Sequence, residues 1–263
     1  MAQDVAVDKK SGMSYGWIVT LAGVGINLAL GILYTWSVVS KEIPAGWKWT
    51  ESDKSLPYAV ACLIFSIVMV PAGRLQDKLG PRPVATVGGL LVGFGMMIAS
   101  LTTSVTGFII GFGVLAGAGI GFGYASATPP AVKWFPSSKT GLIAGLVVSG
   151  FGLASVYASP LAKWLIATFE VQNAMGILGA AFTIVVVLLA QLLRVPHKVE
   201  QITKGTGLAG EIKRQLANPT VHRENFSPRE TLRTPVFYLL WFLYACGAGA
   251  GLMEFGGPLL VEN

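Results

Sequence analysis

For fifty consecutive residues, from Pro83 to Val132, the sequence has no Asp, Glu, Lys, Arg or His. A soluble domain is about one quarter charged, so a run of that length would ordinarily carry about a dozen charges. Over the whole chain only 12% of residues are charged, which excludes a water-facing surface along the long apolar runs. Cysteine is scarce as well. Cys62 and Cys246 both fall inside apolar runs, and a disulfide framework is excluded. The two histidines, His197 and His222, share one polar stretch without ligand spacing, so no metal is expected. No Ser–His–acid set or carboxylate pair can be assembled within the apolar runs, and the expectation is a protein that is not an enzyme. The glycines from Gly107 to Gly123 imitate a phosphate-binding loop. They lack both the dinucleotide spacing and a Gly-Lys-Ser/Thr ending, so no cofactor follows.

What the chain does have is length of apolar segment. A helix rises ~1.5 Å per residue and the hydrocarbon layer is ~30 Å thick, so about twenty apolar residues cross once. Uncharged runs of that order occupy Tyr15–Val39, Ser55–Gly73, Pro83–Ser104, Val105–Val132, Gly141–Ala162 and Val171–Leu193, with a seventh at Pro235–Met253. They are continuously apolar rather than alternating, which excludes a lipid-facing barrel. Backbone amides inside lipid must bond within their own segment, and helices do that. The fold expected is an all-α polytopic membrane protein.

The basic residues set an orientation. Lys9, Lys10, Arg74, Lys78, Arg82, Lys133 and Lys139 flank one set of ends, joined by eight more between Arg194 and Thr234. The opposite ends hold Lys41, Lys48, Lys54 and Lys163. Fifteen against four places the N-terminus and the central stretch in the cytoplasm, within a cell membrane (the inner one in a Gram-negative cell). The net charge of +6 therefore suits an anionic lipid face, and no nucleic-acid partner is expected. Four regions follow: a tail at 1–14, a six-helix bundle at 15–193, a cytoplasmic loop at 194–234, and a seventh helix with a divergent end at 235–263.

Polar side chains at membrane depth are expensive, so their positions inform. Asn27 and Tyr34 are seven residues apart and are expected on one face of the first helix. Gly117, Gly121, Tyr124 and Thr128 form one stripe on the fourth. Two readings stand: Tyr34, Tyr124 and Asn27 line a central cavity, or they satisfy neighbouring helices and interfacial belts. The clustered glycines are expected to serve close helix packing.

The loop between the second and third spans reads Gly73-Arg-Leu75-Gln-Asp77-Lys-Leu-Gly80-Pro-Arg82. It resembles the cytoplasmic signature Gly-x-Leu-x-Asp-x-x-Gly-x-Arg of the major facilitator superfamily. Lys133-Trp134-Phe135-Pro136 and Leu232-Arg233-Thr234-Pro235 resemble its oxalate–formate antiporter and bacterial monocarboxylate transporter branch, as do Leu33-Tyr34-Thr35-Trp36 and Cys246–Met253. The resemblance implies a six-helix N-terminal bundle followed by a truncated second half. It implies a conformational latch at Gly73, Asp77, Gly80 and Arg82, in which Asp77 accepts amides at a helix N-terminus and Arg82 pairs with an acid. It implies that Tyr34 and Tyr124 face a small carboxylate. Oxalate-exchanging members carry a glutamine before the first tyrosine and another tyrosine on the fifth helix, where this chain has Leu33 and Phe151. The expectation is therefore proton-coupled transport of a monocarboxylate such as lactate by alternating access, with oxalate–formate exchange as the alternative. A scaffold or receptor without transport is the reading from another class. The six spans contain no cation at mid-depth, and the chain alone is expected to be inactive; its oligomeric state is open.

Overall fold

The computed structural model describes residues 2–196, 233–239 and 242–243, and within them every regular element is helical. It divides into two units, Met1–Lys204 and Gly205–Asn263. In the second unit, 235–239 and 242–243 are helical and the Phe237 and Tyr238 rings meet edge-on at 5.3 Å. The rest of the expected seventh span, and the stretch 197–232, lie outside the described residues.

The first unit is a bundle of rods. α1 runs over Tyr15–Glu42, in continuity with a helix that starts at Ala2, inside the segment expected as a tail. Within α1 the α-helix ends at Leu30, tightens to a 3₁₀ turn over Gly31–Thr35 and resumes at Trp36–Val39. α2 (Glu51–Leu79) opens on a reciprocal cap: Thr50 Oγ1 accepts from Asp53 N–H, and Asp53 Oδ2 accepts from Thr50 N–H at 2.9 Å. That arrangement satisfies two of the amides a helix N-terminus leaves open. α3 (Pro81–Ser100) follows after one residue, Gly80, whose φ of 89° a side chain would resist. Proline at the first position of α3 needs no amide partner. α4 spans Val105–Val132, capped by Ser104, and includes a π-helical stretch at Ile109–Ala116.

The fifth stretch, Thr140–Ala190, has 51 residues. Unbroken it would be about 76 Å long, far more than the ~30 Å of hydrocarbon. It is a hairpin instead. Glu170 has φ 66° and ψ 167°, a non-helical conformation that separates α5 (140–169) from α6 (171–190). The chain doubles back there, because Trp134 Nε1 donates to Arg194 O at 2.8 Å and brings the two ends of the hairpin to one level. Six rods thus fill 15–190, as the apolar runs predict, but with a single-residue corner where the sequence suggests a short loop.

Glycine lets the rods close on one another. A Cβ on Gly88 would lie 2.7 Å from Gly123 N, and one on Gly117 would lie 2.8 Å from Ala61 O. Backbone cannot yield as a side chain can, so these positions accept nothing larger. The packed interior also holds Phe108, Phe112, Ile26, Met96 and Ile120, all at most 2% exposed. Large apolar residues such as Leu63, Ile67, Val156 and Leu188 remain outward on the bundle surface.

The corner yields a test. Its backbone sits in a region that is populated almost solely by glycine and costs other residues about 1–3 kcal/mol. Glu170→Gly is expected to raise the thermal unfolding midpoint in detergent by a few degrees. A lowered midpoint would show that the glutamate side chain itself holds the corner.

Candidate functional site

Four rods contribute to one aromatic cluster. Phe151 on α5 is its hub, 8% exposed. Its ring meets Tyr34 of α1 at 5.3 Å, Tyr124 of α4 at 5.4 Å and Phe65 of α2 at 6.2 Å. Phe65 and Tyr124 close the set edge-on at 5.6 Å. Tyr34 and Tyr124, which the sequence reading allows either to line one cavity or to serve separate helix contacts, therefore meet in one cluster. Both are half-buried. Tyr58 and Cys62, both half-buried, lie one helical turn apart on α2. The cluster offers two phenol hydroxyls and an apolar ring wall, and no formal charge.

Asn27 is not part of that cluster. It is fully buried and donates from Nδ2 to Val147 O at 2.8 Å, across to α5. The 3₁₀ turn explains the separation from Tyr34. Seven α-helical steps return to nearly the same face, whereas four of the steps here advance by about 120° instead of ~100°, rotating Tyr34 by roughly 60° from Asn27. Tyr157 likewise serves the helix interface, donating to Leu28 O at 2.9 Å. Thr128 Oγ1 and Asn27 Oδ1 are buried without a hydrogen-bond partner among the described residues.

Phe65 and the hub role of Phe151 escaped the sequence reading. A phenylalanine in an apolar helix carries no local signal; only the meeting of four helices distinguishes these two from lipid-facing rings.

Each end of the bundle is bound by a second aromatic set. At one end Trp36 stacks on Phe112 at 4.7 Å and donates from Nε1 to Lys54 O at 2.7 Å. Trp49 packs edge-on against Phe108 at 5.2 Å and donates to Thr103 O at 2.9 Å. At the other end Arg194 lies over the Tyr15 ring, 5.5 Å from its centroid, and Tyr15 meets Trp134 at 5.3 Å.

The four residues read as a latch fall at this second end. Gly80 makes the turn, and Gly73 has open space where a Cβ would sit. Asp77 is exposed, and no hydrogen bond or ion pair involves it among the described residues. Arg82 donates from Nε to Leu193 O at 2.9 Å rather than to an acid, and its Nη2 is buried without a partner there. Among the described residues no three His, Cys, Asp or Glu gather as a metal site.

Apolar rods of membrane-crossing length, aromatic sets at both ends and a polar-tipped ring cluster at their meeting point define a multi-pass α-helical membrane protein. The sequence profile of the Major Facilitator Superfamily matches residues 5–263, and the chain belongs to that superfamily, a group of transporters rather than enzymes. Over 235 residues it is 27% identical to the uncharacterized MFS-type transporter YhjX of Escherichia coli strain K12, covering 89% of this chain and 55% of that protein. It is 28% identical over 233 residues to the oxalate:formate antiporter of Oxalobacter formigenes, covering 89% and 50%. Against monocarboxylate transporter 13 of Rattus norvegicus it is 29% identical over 181 residues, covering 68% and 42%. The chain spans about half the length of the curated relatives it matches.

Arg82 joins the start of α3 to the chain leaving α6, and a hydrogen bond from a charged donor contributes about 1.5–3 kcal/mol. Arg82→Ala is expected to speed amide exchange in peptides covering 187–194 while leaving 51–72 unchanged. Equal exchange in both variants would mean that Trp134 alone anchors this end.

Proposed function

We propose that this chain forms the first bundle of an alternating-access transporter for small monocarboxylates, coupled to protons, with Tyr34 and Tyr124 as its solute-facing hydroxyls. The observation that carries the reading is the convergence of both tyrosines on Phe151. A phenol donates to a carboxylate oxygen, and the adjoining rings exclude water and accept an apolar tail. Phe65 and Phe151 add apolar area but no hydroxyl, which favours one carboxylate with a carbon tail over oxalate. Two relatives bear names in keeping with this, a monocarboxylate transporter and an oxalate:formate antiporter. Exchange of oxalate for formate is the second reading, supported by the antiporter's match across 89% of this chain.

Coupling to protons follows from charge. One elementary charge moved against ~100 mV costs ~2.3 kcal/mol, and a proton carried with the anion cancels it. Alternating access asks two bundles to rock about the site. Exposed Asp77 at the α2–α3 turn is free of partners within its own bundle among the described residues, which suits a latch against a second one.

The test uses liposomes holding this chain together with a second six-helix half from a bacterial relative. Labelled lactate is expected to accumulate under an inward proton gradient and to stop when an ionophore collapses it. Tyr124→Phe should cut uptake about tenfold, the loss of one hydrogen bond to a charged acceptor. Unchanged uptake would overturn the assignment, and faster counterflow of labelled oxalate than of lactate would favour exchange.

Orientation belongs to the same proposal, with the N-terminus in the cytoplasm. Its support is the excess of Lys and Arg at the end that holds Arg82, Lys133, Lys139 and Arg194. A cysteine replacing Lys139 is expected to react with an impermeant maleimide only in inverted vesicles, and one replacing Lys48 only in intact cells. The opposite pattern would reverse the topology.

A further inference from the structure

Asn27 is 0% exposed, so no solute held among the rings touches it. Its amide bridges α1 and α5, Nδ2 donating to Val147 O at 2.8 Å. A carbonyl acceptor requires a donor opposite it, which fixes the nitrogen towards α5 and leaves Oδ1 buried and unpartnered among the described residues. Val147 lies one helical turn before Phe151, and its carbonyl is the one that the Phe151 amide uses within α5. The same turn is packed closely against α1 on either side of Asn27. A Cβ on Gly150 would lie 2.6 Å from Val24 O, and one on Gly31 would lie 2.6 Å from Phe151 O.

Small residues let α1 and α5 come close but leave their relative rotation loosely defined. A leucine at position 27 would fill the space without leaving an unpartnered oxygen. What the amide adds is direction. A single donor aimed at a single carbonyl sets the rotation of α5 at the turn from which the Phe151 ring projects.

We propose that Asn27 is a positioning residue for Phe151: by tying Val147 O to α1 it fixes how the Phe151 ring meets Tyr34 and Tyr124. Its consequence for binding rests on the carboxylate reading of that cluster; its consequence for α5 does not. Asn27 thereby controls solute affinity without touching solute.

Two measurements on the purified 263-residue chain in lipid nanodiscs separate these. In the first, without solute, Asn27→Leu is expected to accelerate amide exchange in peptides covering 147–152 about tenfold while 105–132 stays constant, since only that turn loses its tie. Unchanged exchange overturns the proposal. In the second, the chain is reconstituted with the second six-helix half used for transport, and lactate binding is followed by tryptophan fluorescence in Asn27→Leu, Phe151→Leu and the double variant. If Asn27 acts through Phe151, each single change weakens binding about tenfold and the double change weakens it no further. Additive losses of about a hundredfold would assign Asn27 an independent role and overturn the proposal. If the unaltered chain binds no lactate even with that second half present, the carboxylate reading falls and the exchange measurement alone decides the role of Asn27. Should Asn27→Leu fail to fold, Asn27→Ser, whose hydroxyl falls short of Val147 O, is carried through both measurements with the same expectations.

Discussion

Hydrocarbon offers no hydrogen bonds, and every feature of this bundle answers to that scarcity. Rods satisfy their own backbones. Corners are the exposed points, and each has a device suited to it: the Thr50–Asp53 cap, the Gly80 turn, the Ser104 cap and the Glu170 break. Polar side chains turn to carbonyls, Thr20, Thr35 and Ser126 to those of their own rod, and Asn27 to Val147 and Tyr157 to Leu28 across to a neighbouring one. Such bonds average only about 0.6 kcal/mol each in membranes. They are too weak to assemble the bundle. Close contact through glycine supplies the area over which dispersion acts, and the hydrogen bonds choose the register within it.

That division of labour explains what could be read in advance. The rods were legible because missing charge is a global signal spread over some twenty residues per crossing. The glycine contacts of α3 and α4 were legible as a class, since small residues spaced along an apolar helix have few other uses. The α5–α6 corner was not, because the charges at Lys163 and Glu170 end the uncharged runs and set 163–170 apart as a connection, while its mostly apolar residues keep the backbone helical to 169. Nor was the separation of Asn27 from Tyr34. An α-helical wheel puts them together, and only the 3₁₀ turn at Gly31–Thr35, set by packing against Phe151 and Ala154, pulls them apart. Tyr34 and Tyr124 could be nominated one by one because hydroxyls stand out in apolar runs. Their meeting at Phe151 is tertiary and has no sequence trace.

The signature loop divides its residues between two tasks. Gly80 and Arg82 act within the bundle, the glycine by turning and the arginine by bonding Leu193 O. Asp77, at the same end, is exposed. A residue that stabilised only its own bundle would be expected to find a partner there. Under the proposed latch, this mix of committed and uncommitted charges serves a surface that engages and releases, whereas ordinary charge asymmetry calls for basic residues alone.

Charge also limits what the ring cluster can do. Two phenol donors to a carboxylate contribute about 1.5–3 kcal/mol each. Removing that anion from water costs at least several kcal/mol, which the phenols meet only in part. A cation about 4 Å away adds roughly 4 kcal/mol at an effective dielectric near 20, enough to change the sign of the balance. No Lys, Arg or His occurs in Tyr15–Val39, Ser55–Gly73, Val105–Val132 or Gly141–Ala162, the segments that carry the cluster. On the carboxylate reading, the cluster orients and selects the solute but does not neutralise it. On that same reading, the missing positive charge comes from a proton travelling with the anion or from a basic residue facing these rings from a second bundle. Either source makes binding depend on which bundle arrangement is present, and that dependence is the condition for coupling.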